Sequence, residues 1–134
     1  MAYSVEVLAD EPVVIVRMEQ GFKFEKELPG AHEEIARCVR QIEARYVYRV
    51  TDFSALTLTF SELQTVLYLE TRGGPGSAAD PRIRNVFVGT GEWVQMAGDS
   101  LVQTQYGKIP ALVFSTVNEA LVYVRAMLGH TPSG

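Results

Sequence analysis

The chain has 134 residues, 47% hydrophobic and 21% charged, which suits one globular domain and excludes a disordered or fibrous chain. Lys and Arg total 12 against 16 Asp and Glu, for a net charge of −4, and the arginines are interspersed with acids, so no nucleic-acid footprint is expected. No apolar run approaches the roughly 20 residues needed to cross a bilayer, the first residues do not resemble a signal peptide, and a lone Cys38 can form no internal disulfide, so a cytoplasmic protein is expected.

Tyr3, Val5 and Val7 alternate with Ser4 and Glu6, the period of a half-buried strand. Ala9, Asp10, Glu11 and Pro12 predict a turn, because Pro cannot extend a ladder and acids are poor strand formers. Residues 13–18 are nearly continuous apolar sequence, as a strand covered on both faces must be, and the short turn pairs the two strands as a hairpin. From Pro29, the residues Ile35, Val39 and Ile42 recur at helical spacing, so a helix is expected to begin at that proline. Residues 46–51 are β-branched and aromatic and predict a third strand. Thr59 and Glu62 have capping-box spacing, and Phe60, Leu63, Val66 and Leu67 continue a helical stripe to about Thr71. Gly73-Gly74-Pro75-Gly76-Ser77 must break that helix and reads as a flexible connection, able to act as a lid over the strand ends.

Residues 85–88 predict a strand that stops at Gly89-Thr90-Gly91. Trp93, Val94, Ala97, Leu101 and Val102 predict a third helix ending near Gly107, and residues 111–114 a fifth strand. Thr116 and Glu119 repeat the capping-box spacing, and Val117, Leu121, Val124 and Leu128 form a last helical stripe closed by Gly129. Residues 1–130 thus read as one domain and 131–134 as a flexible tail. Alternating strands and helices predict an α/β fold: a mixed, mostly parallel sheet of about five strands with an N-terminal antiparallel hairpin and about four helices.

Three stretches now carry a resemblance. Val50-Thr51-Asp52-Phe53-Ser54, then Asn85-Val86-Phe87-Val88-Gly89 followed by Trp93, then the segment from Val113 to Leu121 resemble the STAS fold, and within it the SpoIIAA-like family of small bacterial proteins. That resemblance implies a regulatory or ligand-binding role with apolar ligands. Anti-sigma-factor antagonists of the superfamily carry a phosphorylatable serine at the helix after the third strand. The corresponding stretch here is Thr59-Phe60-Ser61-Glu62, in which Ser61 falls nearest and the motif's Asp and Gly are absent.

Nucleophilic catalysis needs a Ser or Cys with an adjacent base; His32 reads as a surface residue, His130 as a solvated tail residue and Cys38 as a small buried hydrophobe. Glu33 and Glu34 read as first-turn acids, and one Cys with two distant His falls short of metal-ligand spacing. Gly89-Thr90-Gly91 lacks the Lys of a phosphate loop and reads as a tight turn. No enzyme, metal or cofactor is therefore expected. In open α/β sheets ligands bind beyond the carboxyl ends of the strands, which selects Asp52, Ser54, Thr90, Glu92, Ser115 and Thr116 as ligand-binding residues. The expected function is a non-catalytic STAS-like module that is regulatory or binds a small ligand, an apolar one being suggested by the resemblance. The alternative is a protein-interaction module switched by phosphorylation at Ser54, Thr59 or Ser61. Tyr68 and Leu69 widen the apolar surface of the second helix and suggest a homodimer through it.

Overall fold

The computed structural model describes residues 2–72, 74–103 and 107–129. The predicted hairpin forms, with β1 (Tyr3–Val7) antiparallel to β2 (Val13–Met18). Asp10 at its turn takes a left-handed backbone conformation (φ 62), which Asp tolerates better than most side chains. There follow α1 (Phe24–Gln41), β3 (Val47–Asp52), α2 (Phe60–Thr71), β4 (Ile83–Val88), α3 (Glu92–Leu101), β5 (Ala111–Phe114) and α4 (Val117–Met127). The strands lie in chain order, β1-β2-β3-β4-β5, and from β2 onward all pairs are parallel. The fold is α/β, with a five-stranded mixed sheet and four helices among the described residues.

Two boundaries differ from expectation. Helix α1 starts at Phe24, so Pro29 lies inside it and not at its first position. The earlier turn forms because Phe24 and Leu28 are buried, and because the Glu27 carboxylate accepts from the backbone N–H groups of Lys23 (2.7 Å) and Ala2 (3.0 Å). Those backbone bonds hold the Glu27 carboxyl below its ordinary value. Helix α3 ends at Leu101, short of Gly107, because the Leu101 carbonyl accepts from the Ile109 N–H (2.6 Å) and the chain folds back there. The predicted capping box does form: Thr59 Oγ1 accepts from Glu62 N–H (3.1 Å) and Glu62 Oε1 accepts from Thr59 N–H (3.0 Å).

Parallel connections are right-handed, so a sheet built in chain order places its crossover helices on one side. Helices α1, α2 and α3 accordingly share one face, where Val14, Val16, Val47, Phe53 and Phe87 meet Leu28, Ile35, Leu63, Val66 and Leu101. Helix α4 alone covers the other, packing Ala120 and Val124 on Val13, Ile15, Val50 and Val86. This explains why β2 is apolar without alternation: Val13, Val14, Ile15 and Val16 are all buried, in turn on either face.

One buried ion pair sits under the three-helix face. Arg49 of β3 is 0% exposed and grips Glu70 of α2 in two hydrogen bonds, 2.8 and 2.6 Å. Glu70 also accepts from His32 Nε2 of α1 (2.8 Å) and from the Ala78 N–H (2.9 Å), so one carboxylate joins two helices, a strand and the loop before β4. Arg49, one of the arginines interspersed with acids in the sequence, is thus interior, and His32, expected at the surface, is partly buried and hydrogen-bonded to Glu70. The Gly-rich loop is also not a lid. Helix α2 runs back against the strands, so its exit loop lies at the amino edge, and Gly76, Ser77 and Ala78 are buried. Gly76 has φ +82, and a Cβ there would fall 2.1 Å from the His32 carbonyl oxygen, so only glycine fits against α1. Arg82 closes the same edge by donating to the carbonyls of Val39 (3.0 Å), Ile42 (3.0 Å) and Ala44 (2.6 Å) at the end of α1.

Burial by itself would raise the Glu70 carboxyl; the Arg49 charge, with hydrogen bonds from His32 and Arg49, outweighs it and holds the group well below the carboxylate range. A depressed carboxyl contributes stability above its ordinary value of 4.5 and loses it as pH falls toward the folded-state value. Urea unfolding should therefore show stability declining below pH 4.5. Glu70→Gln, which strands the Arg49 charge, should cost about 3–5 kcal/mol at pH 7 and flatten that acid decline. Gly76→Ala should cost roughly 2 kcal/mol or more by the same measurement.

Candidate functional site

The carboxyl edge of the sheet is shaped by the loops that leave β3 and β4. At the end of β3, Asp52 Oδ1 accepts from Ser54 N–H (2.9 Å) and Ser54 Oγ (2.6 Å), a side-chain turn that opens the connection to α2. At the end of β4, a Cβ on Gly89 would lie 2.7 Å from Val94 Cγ2, and one on Gly91 would lie 3.0 Å from the Trp93 ring. The buried Val94 side chain would have to shift for any side chain at Gly89, whereas at Gly91 the Trp93 ring would have to give only by a few tenths of an ångström. The Gly89 N–H donates to the Phe114 carbonyl (2.9 Å) and so continues the ladder to β5 by one bond.

Between these loops opens a cleft of about 540 Å3. Its inner wall is apolar: Phe53, Leu63 and Val94 are buried, and Trp93 packs edge-on against Phe53 at 5.2 Å. Phe53 in turn stands edge-on to Phe87 at 5.4 Å, so an aromatic chain runs from the sheet centre to the cleft. Phe60 and Met96, 66% and 46% exposed, flank the mouth. Ser54, Thr57, Thr59, Thr90 and Glu92 supply hydroxyls and one carboxylate. A second cleft of about 520 Å3 lies across the 53–59 loop, between Gln20 to Lys26 and the first turns of α2, with Glu62 and Thr65 on its wall.

Of the six residues selected from sequence, Ser54, Thr90 and Glu92 come together on the first cleft, whereas Asp52, Ser115 and Thr116 do not line it. Asp52 is occupied by Ser54, and Thr116 caps α4 by accepting from Glu119 N–H (3.1 Å). Among the phosphorylation positions, Thr59 is committed to the capping box and the Ser54 hydroxyl to Asp52, while Ser61 is exposed in the first turn of α2. Leu69 packs partly onto the protein's own core, and Tyr68 is exposed, with the Arg72 guanidinium 4.8 Å over its ring. Cys38 is half-buried, and burial, then the Glu34 charge, pushes its thiol up. His130 and the expected tail at 131–134 lie outside the described residues.

Sequence reasoning missed the apolar wall. Phe60 and Met96 fell within amphipathic helices, and nothing local distinguished a side chain facing a cleft from one facing the core. It also missed Glu70, although Glu70 stands seven residues after Leu63 on the stripe of Leu63, Val66 and Leu67, a position that marks a buried face. Among the described residues no three His, Cys, Asp or Glu are grouped as metal ligands, and no helix is long and apolar enough to cross a membrane.

No protein-family model matches the chain, and no curated protein matches it. Function has to be read from the cleft's own chemistry.

Asp52→Ala removes the acceptor of both Ser54 bonds and should lower stability by about 1 kcal/mol in urea unfolding. Because Asp52 does not line the cleft, the Trp93 emission maximum should stay unchanged in the folded variant.

Proposed function

We propose that the protein is a non-catalytic regulatory module of STAS-like type that binds a small, uncharged, largely apolar molecule in the cleft beside Trp93. The observation that carries this reading is the pairing of two exposed apolar side chains, Phe60 and Met96, with Trp93 around one concave surface. Large apolar groups concentrated at a cleft mark a binding surface more than a folding requirement. A volume of about 540 Å3 falls in the range of small-molecule sites. Thr57 and Thr90 can orient a polar group on the ligand, and Glu92 disfavours an anion there. The described lining holds no His, Cys or Lys, so a general base for a serine or threonine nucleophile would have to be Glu92 alone. That composition supports binding over catalysis.

A second reading has one observation in its favour. Ser61 is exposed at the start of α2 and takes no part in the capping box, so a phosphate there would meet the positive helix end without breaking the cap. In that reading the exposed Phe60 and Tyr68 of α2 contact a partner protein or a second copy.

Trp93 is the single tryptophan, so its fluorescence reports directly on the cleft. Titration with neutral apolar probes such as octanol and cyclohexanol should shift Trp93 emission saturably, and Phe60→Ala should weaken the response at least fivefold. Native mass spectrometry of protein from its own cells should show a small mass surplus that denaturation removes. No Trp93 response together with a bare native mass would overturn the ligand reading. An added phosphate that persists on denaturation would favour the second.

A further inference from the structure

At the opposite edge of the sheet, on the side covered by α4, lies a larger groove of about 710 Å3. Strand register builds its floor. Tyr48 and Arg84 are direct partners across β3 and β4, and they lie on the same face as Val50 and Val86, which α4 covers. Leu112 pairs with Val86 one row further on and is 48% exposed. Helix α4 reaches this edge only with its last turn, where Tyr123, Met127 and Leu128 wall the groove. One helix of 11 residues cannot close the whole face, and this corner stays open.

The charge of the corner is opposite to that of the chain. The protein carries a net −4, yet Arg45, Arg84 and Lys108 all line the groove. Among the described residues none of the three is ion-paired. The guanidiniums of Arg84 and Arg45 lie 4.0 and 5.3 Å from the centre of the Tyr46 ring, so one aromatic side chain supports both charges. Asp80 is the one acid on the described lining, and its two oxygens accept from the N–H groups of Gly76 (2.8 Å) and Arg82 (3.0 Å). Lys108 is set at the rim in a left-handed conformation (φ 54), its N–H bonded to the Gln103 carbonyl (3.1 Å). Burial raises the Tyr48 hydroxyl pKa, Tyr123 raising it further and Arg84 lowering it.

We propose that this groove binds an apolar carboxylate, its head held by Arg84 and Arg45 and its body laid against Tyr48, Leu112, Tyr123 and Met127. A carboxylate fork matches the paired N–H donors of a guanidinium, and an anion there offsets the excess of positive charge on the groove lining. The exposed Leu112 and Met127 then gain the apolar cover that α4 does not provide. The site is distinct from the cleft beside Trp93: it sits at the other end of the strands, takes the opposite charge and shares no residue with it.

The test is a 1H–15N NMR titration of the full chain with decanoate, with decanol and inorganic phosphate as controls. Decanoate should shift the amides of Tyr48, Arg84, Leu112 and Tyr123 saturably while leaving Trp93 fluorescence unmoved. Arg84→Gln should weaken binding at least tenfold and Arg45→Gln severalfold, both at exposed positions and with the spectrum otherwise intact. Leu112→Ser should weaken decanoate without creating affinity for phosphate. Decanol shifting the amides of Tyr48, Arg84, Leu112 and Tyr123 as tightly as decanoate would overturn the role of the anionic head, and phosphate doing so would overturn that of the apolar body. Shifts confined to the surroundings of Trp93 would overturn the location while leaving the proposed cleft function standing.

Discussion

Three successive crossover helices laid in one direction across a parallel sheet must share a face, because each β-α-β unit has the same hand. In this protein that constraint commits α1, α2 and α3 to one side of five strands in chain order and leaves α4 to close the other. Both clefts follow from it. A sheet whose strand order never reverses has no switch-point crevice, so the opening at the carboxyl edge forms between two adjacent loops, those after β3 and β4. On the α4 side a single helix meets a face wider than itself, and the uncovered corner holds Tyr48 and Arg84 where full cover would demand apolar residues.

The Arg49–Glu70 pair acts within the three-helix layer. Removing two charges from water is expensive, and a buried pair of this kind contributes little net stability against an apolar substitute of equal volume. Its effect is positional. Glu70 receives bonds from His32, Arg49 and Ala78, and Gly76 closes onto α1 above it, so α1, α2, β3 and the loop before β4 are tied at one point. The same loop carries Ala78, Ala79 and Asp80 to the wall of the amino-edge groove, and Asp80 spends both carboxylate oxygens on backbone amides. The one acid on the described lining thereby bonds backbone amides and not the guanidiniums, and Arg45, Arg84 and Lys108 leave that corner cationic.

The two ends of the strands therefore differ in chemistry. The carboxyl edge presents hydroxyls, one carboxylate and an aromatic chain leading inward through Trp93, Phe53 and Phe87. The amino edge presents guanidiniums on a tyrosine and a scatter of uncovered aliphatic side chains. A neutral apolar molecule and an apolar anion would be sorted between them by charge alone, since both surfaces offer apolar contact.

Much of this architecture was legible from residue order. Alternation in β1, the unbroken apolar run of β2 and the Thr59–Glu62 spacing all report local backbone geometry, whose periods of 2 and 3.6 residues are written directly into sequence. Boundaries were less so: Pro29 signals a helix start, yet burial of Phe24 and Leu28 and the reach of Glu27 to Ala2 extended α1 past it. Polar residues at strand ends could be found, but which of them share a cleft depends on the path of the loops, which joined Ser54 with Thr90 and Glu92 and left Asp52, Ser115 and Thr116 outside. Arg49 in a β-branched strand and Glu70 on an apolar stripe were each anomalous, and their pairing across 21 positions became visible only in space. Sequence by itself determined the elements, their order and the hand of their connections, because these depend on neighbouring residues and chain chirality. Tertiary structure alone decided the buried ion pair, the two clefts and their opposite charge, because each depends on groups far apart in the chain that only packing brings within bonding distance.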